Sequence, residues 1–190
     1  MKDGNFSSPT QQQLNNLMEH FQNRRFSEAE KLATSITLEF PKHQFAWKVL
    51  GVILIQLGKS SEALKFNEAA VSLSPNDPEA HNNLGVTLNN LGKLEEAEKS
   101  YKQAIKFKPD YAEAHNNLGC TLQDLGRIEE SETSFRKVIL LKPDFAEAHR
   151  IITMTKKFYS MDEQYLKMKE LYINKDTSKE KLCHINFALA

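Results

Sequence analysis

The apolar positions of this chain recur at helical spacing in short bursts, each closed by a glycine or a proline. Over 79–91, His81, Leu84, Gly85 and Leu88 fall on one face of a 3.6-residue helix, which marks that face as core. Over 95–107, Tyr101 and Ile105 form a second stripe, and Ala80, Ala97 and Ala104 are small where neighbouring helices must come close. The same pattern predicts a helix over 129–141. Gly92 and Gly126 stand where a first helix must stop and the chain reverse, because glycine takes the left-handed conformation of a helix C-terminus without a Cβ penalty. Pro109 and Pro143 end the second helices. The starts are marked as well. Asp110-x-x-Glu113 and Asp144-x-x-Glu147 are predicted capping boxes, and Asp77 before Pro78 is a third N-terminal signal. Each unit is therefore expected to be a helix hairpin.

These breakers are periodic. Pro41, Pro75, Pro109 and Pro143 lie 34 residues apart, as do Gly51, Gly85 and Gly119 in one series and Gly58, Gly92 and Gly126 in another. Aligning 78–111 with 112–145 gives 19 identities in 34 positions, including EAHNNLG and KPD. A lone hairpin cannot bury its apolar face, whereas stacked copies cover one another.

The residues in the period fill the slots of a known signature. They are Trp47-Leu50-Gly51-Leu54-Ala63-Pro75, then His81-Leu84-Gly85-Leu88-Ala97-Tyr101-Pro109, then His115-Leu118-Gly119-Leu122-Phe135-Pro143. In this the chain resembles the tetratricopeptide repeat (TPR) family. The resemblance implies an all-α fold, a right-handed superhelical solenoid of antiparallel helix hairpins. Asn67 stands in the aromatic slot of the first set and Ser131 in the alanine slot of the third. The expected organisation is a disordered 1–9, a degenerate capping repeat over 10–43, repeats over 44–77, 78–111 and 112–145, and a decaying repeat with C-terminal helices over 146–190. In the cap, Leu14, Leu17, Met18 and Phe21 form an apolar stripe, while Gln11, Gln12, Gln13, Asn15 and Asn16 keep the outer side wet. Downstream, Thr153 replaces the glycine and Lys156 enters a core slot, with helices expected over 146–158, 162–173 and 178–189.

The stretch from His149-Arg150 through Lys156-Lys157-Phe158 to Asn186-Phe187-Ala188-Leu189 is similar to the segment that joins TPR repeats to a sulfotransferase domain in bacterial TPR-sulfotransferase proteins. The apolar, uncapped end at Phe187-Ala188-Leu189-Ala190 agrees with a chain that continues.

Composition narrows the function. Lys+Arg and Asp+Glu are 25 each, so there is no basic excess to neutralise phosphates or an anionic membrane, and neither nucleic acid nor membrane is an expected partner. Cys120 and Cys183 have no zinc spacing, and the polar start carries no export segment, so a reducing cytoplasm is expected. The longest apolar run, Val49–Ile55, is far shorter than the ~20 residues of a membrane span.

Candidate chemistry is thin. His81, His115 and His149 recur at the period, but they share the slot of Trp47 and have no acid at i+3 or i+4 to complete a metal set, so packing explains them better. The clusters Glu95-Glu96-Glu98 and Glu129-Glu130-Glu132 fit helix N-termini, where the macrodipole favours negative charge. Cys120 has no cation in its own helix to activate it, and Cys183 beside His184 is incidental. No GxSxG, HExxH or P-loop motif is present, so no catalytic residue, cofactor or metal is assigned.

A polar stripe remains outside the core. It runs through Glu79, Asn82, Val86 and Asn89 in one unit and Glu113, Asn116, Cys120 and Gln123 in the next, bordered by Asn83 and Asn117. In the repeat over 44–77 the stripe carries Lys48, while Phe45, Val52 and Ile55 make it apolar. The TPR resemblance implies that this stripe lines a concave groove for a protein or extended peptide. The repeated asparagines are similar to the asparagine ladder of O-linked N-acetylglucosamine transferase TPRs, which grips a peptide backbone, and an amide offers both donor and acceptor. A carboxylate clamp of the chaperone-cofactor kind is disfavoured, because Val52 replaces an asparagine and Glu113 stands where a lysine is required. The expected function is a non-catalytic interaction scaffold. One alternative is the substrate-recruiting front part of a sulfotransferase, or less favourably of a glycosyltransferase. Another is self-association through the C-terminal helix.

Overall fold

In the computed structural model, which describes residues 8–154, the chain forms helix hairpins stacked in sequence order. The hairpins pair α1 (Gln11–Gln22) with α2 (Phe26–Glu39), α3 (Gln44–Gln56) with α4 (Ser60–Leu73), α5 (Pro78–Asn90) with α6 (Leu94–Phe107), and α7 (Ala112–Asp124) with α8 (Ile128–Leu141). A further helical stretch, α9, runs over 146–154, and no strand occurs among the described residues. The helices expected over 162–173 and 178–189, Cys183, and most of the segment resembling a sulfotransferase linker lie outside those residues.

The turn glycines behave as the pattern predicts. Gly58, Gly92 and Gly126 have φ of 72°, 72° and 73°. Arg24 takes the same place in the first hairpin with φ 56°, where an L-residue costs about 1–2 kcal/mol. Asp77 caps α5 as expected, accepting from the N–H groups of Glu79 at 2.9 Å and Ala80 at 3.3 Å. The capping box expected at Asp110 does not form. The N-cap of α7 is Tyr111, with no side-chain cap, so Asp110 stands one residue too early. Asp144 occupies the equivalent turn before α9. A capping box does close on α1, where Thr10 Oγ1 accepts from the Gln13 N–H at 3.2 Å and Gln13 Oε1 accepts from the Thr10 N–H at 2.8 Å.

Within a hairpin the second glycine series sets how closely the two helices approach. An ideal Cβ on Gly85 would lie 2.6 Å from Tyr101 Cε1, and one on Gly119 would lie 2.9 Å from Phe135 Cζ. Tyr101 and Phe135 are 2 % and 0 % exposed, so each ring fills the space that the missing Cβ leaves. Asn67 plays this part against Gly51 and uses its amide, donating from Nδ2 to Thr87 Oγ1 of the next hairpin at 2.7 Å. Ser131, buried in the alanine slot, donates to the Gly119 carbonyl at 2.7 Å. Both departures from the repeat pattern thus place a buried donor on an acceptor, while Asn67 Oδ1, set against Gly51, has no partner among the described residues.

The first helices of successive hairpins touch, α3 with α5 and α5 with α7. This closer spacing puts the first helices on the inner wall of the stack and the second helices on the outer wall. In the first hairpin Leu17 is fully buried, and Met18 and Phe21 pack on the same core.

Candidate functional site

The expected stripe lies along the inner wall, but its members are not alike. Glu79 and Glu113 are exposed. Val52, Asn83, Asn89, Asn116, Asn117 and Gln123 are half-buried, and Ile55, Val86 and Cys120 are half-buried against the core clusters.

Asn82 departs from its expected role as an open ligand-binding amide. It is 1 % exposed, and it donates from Nδ2 to Glu113 Oε1 at 3.3 Å while its Oδ1 accepts from Asn117 Nδ2 at 3.1 Å. The amide thus ties α5 to α7. Asn89 does likewise, donating to Thr121 Oγ1 at 2.7 Å. The asparagine repeat is therefore in large part an inter-repeat brace. Asn83 and Gln123 make no side-chain hydrogen bond among the described residues. Asn116 Oδ1 is buried without a partner. The reason lies one repeat on: the slot that supplies Asn117 to Asn82 holds Ile151 for Asn116, and that side chain has no N–H to offer.

Lys48 is the one cation on the stripe, and it is already engaged. Its Nζ lies 2.9 Å from Asp77 Oδ2 and 2.6 Å from Glu79 Oε2, with 14 % of the side chain exposed. Burial pushes its pKa down, but the bonds to Glu79 and Asp77 outweigh burial and hold it above 10.5. Asp77 is the counterpart: burial raises it, while the bonds from Gln44 and Lys48 and the Glu79 N–H bring it below 3.8. Against one ammonium the inner wall here sets three carboxylates, Asp77, Glu79 and Glu113.

Beside Lys48 an apolar pocket of about 150 Å3 opens between α1, α3 and α5. Met18, Phe21, Phe45, Val49 and Val52 form its walls, with Lys48, Glu79 and Asn83 at its rim. The contributions of Phe45 and Val52 follow from the sequence. Those of Met18 and Phe21 do not, because the sequence gives them only as part of the cap's apolar stripe. A second pocket of about 240 Å3 lies at the edge of the wall, lined by Ala112, Glu113, Asn116, Val138, Lys142 and Phe145.

The periodic histidines are structural, and the reason is more specific than packing. His81, His115 and His149 place Nε2 at 2.7, 3.0 and 2.9 Å from the carbonyls of Pro75, Pro109 and Pro143. Trp47 Nε1 donates to the Pro41 carbonyl at 3.0 Å in the same way. A carbonyl only accepts, so each imidazole carries its proton on Nε2, and the slot selects a ring N–H that ties each hairpin to the proline before it. Burial first, then Asp124 and Glu147, pushes the Cys120 thiol up, away from the reactive thiolate. Among the described residues no three His, Cys, Asp or Glu side chains gather to hold a metal ion. No described helix is long and apolar enough to cross a membrane.

Four family profiles match the chain, three described as tetratricopeptide repeat, over residues 15–78, 66–99 and 112–145, and one as TPR repeat, over 87–126. The chain is a tetratricopeptide repeat protein. Its fold is that of the TPR solenoid MamA, with a TM-score of 0.70 at 19 % identity over 90 % of this chain and 94 % of that one. YrrB, described as a TPR protein with an unusual peptide-binding site, aligns with a TM-score of 0.65 at 25 % identity, covering 76 % of this chain and 73 % of its own. The first TPR of Spaghetti (RPAP3), bound to the HSP90 peptide SRMEEVD, aligns with a TM-score of 0.60 at 21 % identity, over 62 % of this chain and 93 % of that one. No curated protein matches the sequence.

Proposed function

We propose that this TPR protein is a non-catalytic interaction scaffold whose inner wall receives an extended segment of a partner protein. The observation that carries the reading is the apolar pocket between α1, α3 and α5, open beside Asn83, whose amide has no partner among the described residues. An extended backbone lying along the wall would bond Asn83 while a side chain entered the pocket. The peptide-binding site of YrrB and the peptide held by the RPAP3 repeat support a groove of this kind. The narrower reading, recruitment of substrate to a sulfotransferase, rests only on the resemblance of the C-terminal segment.

The test compares an inner-wall variant with an outer-wall one. Val52→Glu places a charge in the apolar pocket and is expected to weaken binding of peptides selected on the wild-type chain by about tenfold or more. Lys99→Glu, on the exposed face of α6, should leave it unchanged. Equal affinity for both variants in fluorescence anisotropy would remove the inner wall as the binding surface.

A further inference from the structure

We propose that the segment this wall receives carries a bulky apolar side chain followed or preceded by a basic one, and not an acidic or C-terminal-carboxylate motif. The inference rests on the inner wall being the binding surface and names the chemistry of its occupant. Two observations carry it. The pocket beside Phe21, Phe45 and Val52 is about 150 Å3, and an apolar cavity of about that size holds a benzene ring, so Phe, Leu or Met fits. The second observation is charge. Lys48, the one cation on the stripe, is neutralised by Asp77 at 2.9 Å and Glu79 at 2.6 Å, so it has no free charge to offer a ligand carboxylate. Glu113 is exposed further along the same wall, and Asn116 Oδ1 beside it is an acceptor without a donor. A Lys or Arg side chain pairs with the exposed Glu113 carboxylate, and an acidic one would meet like charge. Lys142 is the opposing cation nearby, but it follows α8 at the lip of the second pocket and is not on the stripe.

The occupant is read by selecting peptides from a random twelve-residue library on the full chain, then titrating enriched sequences and the acidic peptide SRMEEVD by fluorescence anisotropy. Enriched sequences should pair Phe, Leu or Met with Lys or Arg, and should bind at least about tenfold more tightly than SRMEEVD, with affinity falling as salt rises. Selection on Glu113→Lys should shift the enriched set toward acidic residues. That variant also removes the acceptor of the Asn82 amide, so circular dichroism and thermal unfolding check that its fold is kept. Enrichment of acidic sequences, or no charge preference, overturns this inference and leaves the inner-wall reading standing. Enriched peptides insensitive to both Val52→Glu and the milder Val52→Ser, or no enrichment at all, overturn both.

Discussion

Gly85→Ala is expected to destabilise the chain by up to about 2 kcal/mol, although alanine is the better helix former. Two effects of opposite sign compete. Replacing a helix-interior glycine with alanine is worth about 1 kcal/mol in helix propensity. Against this, the new methyl would lie 2.6, 2.7 and 2.9 Å from three atoms of the Tyr101 ring. The ring is 2 % exposed and cannot swing aside without opening the α5–α6 contact. Overpacking of this kind costs about 1–3 kcal/mol, so the clash wins. Gly119→Ala is the built-in comparison, because its methyl would lie 2.9, 3.0 and 3.1 Å from Phe135, and a small shift relieves most of that overlap. Urea unfolding should therefore rank Gly85→Ala well below Gly119→Ala. In a Tyr101→Leu background the Gly85→Ala penalty should shrink or change sign. Equal losses at the two glycines would mean that ring contact is not what selects glycine there.

Asp77→Ala is expected to cost about 2 kcal/mol, because one carboxylate does two jobs. It caps α5 through the Glu79 and Ala80 N–H groups, worth about 1 kcal/mol. It also pairs with half-buried Lys48 of α3, bridging α3 and α5, and its loss leaves that ammonium with Glu79 alone. The pH dependence has a definite sign. Asp77 sits below its ordinary 3.8 in the folded chain, so its contribution is fully present above 3.8 and is lost as pH falls through the folded value. Lys48 is held above 10.5, so its contribution is complete below 10.5 and is lost as pH rises through its folded value. Between those limits the pair's contribution is flat. Asp77→Asn keeps a cap but removes the charge, so the stability difference between wild type and Asp77→Asn should be constant near neutral pH and shrink below 3.8. A difference that persists unchanged at pH 2–3 would show that the pair is not the source.

Both predictions depend on features that the sequence reveals to different degrees. The turn glycines and the ring-facing glycines were legible because backbone geometry and close approach each demand one residue type at a fixed step. The failed capping box was legible in principle. The 34-residue period places Tyr111, not Asp110, opposite Asp77, so the local motif and the repeat disagreed and the repeat governed. The histidines carry a signal more specific than packing. They share a slot with Trp47, and what the two side chains have in common is a ring N–H, which in the structure reaches the proline carbonyl six residues back. The brace from Asn82 to Glu113 and Asn117 was not legible, because it joins residues 31 and 35 apart whose partner choice depends on the stacking offset. The apolar pocket was half legible. Val52 and Phe45 stand on the stripe, but Met18 and Phe21 reach it only because α1 packs beside α3.

The central claim is that the inner wall is the binding surface, and amide hydrogen exchange of the full chain with and without a selected peptide tests it most directly. Bound peptide should slow exchange in α3, α5 and α7, most strongly beside Val52 and Asn83. Protection confined to the outer helices α4, α6 and α8 would contradict the account.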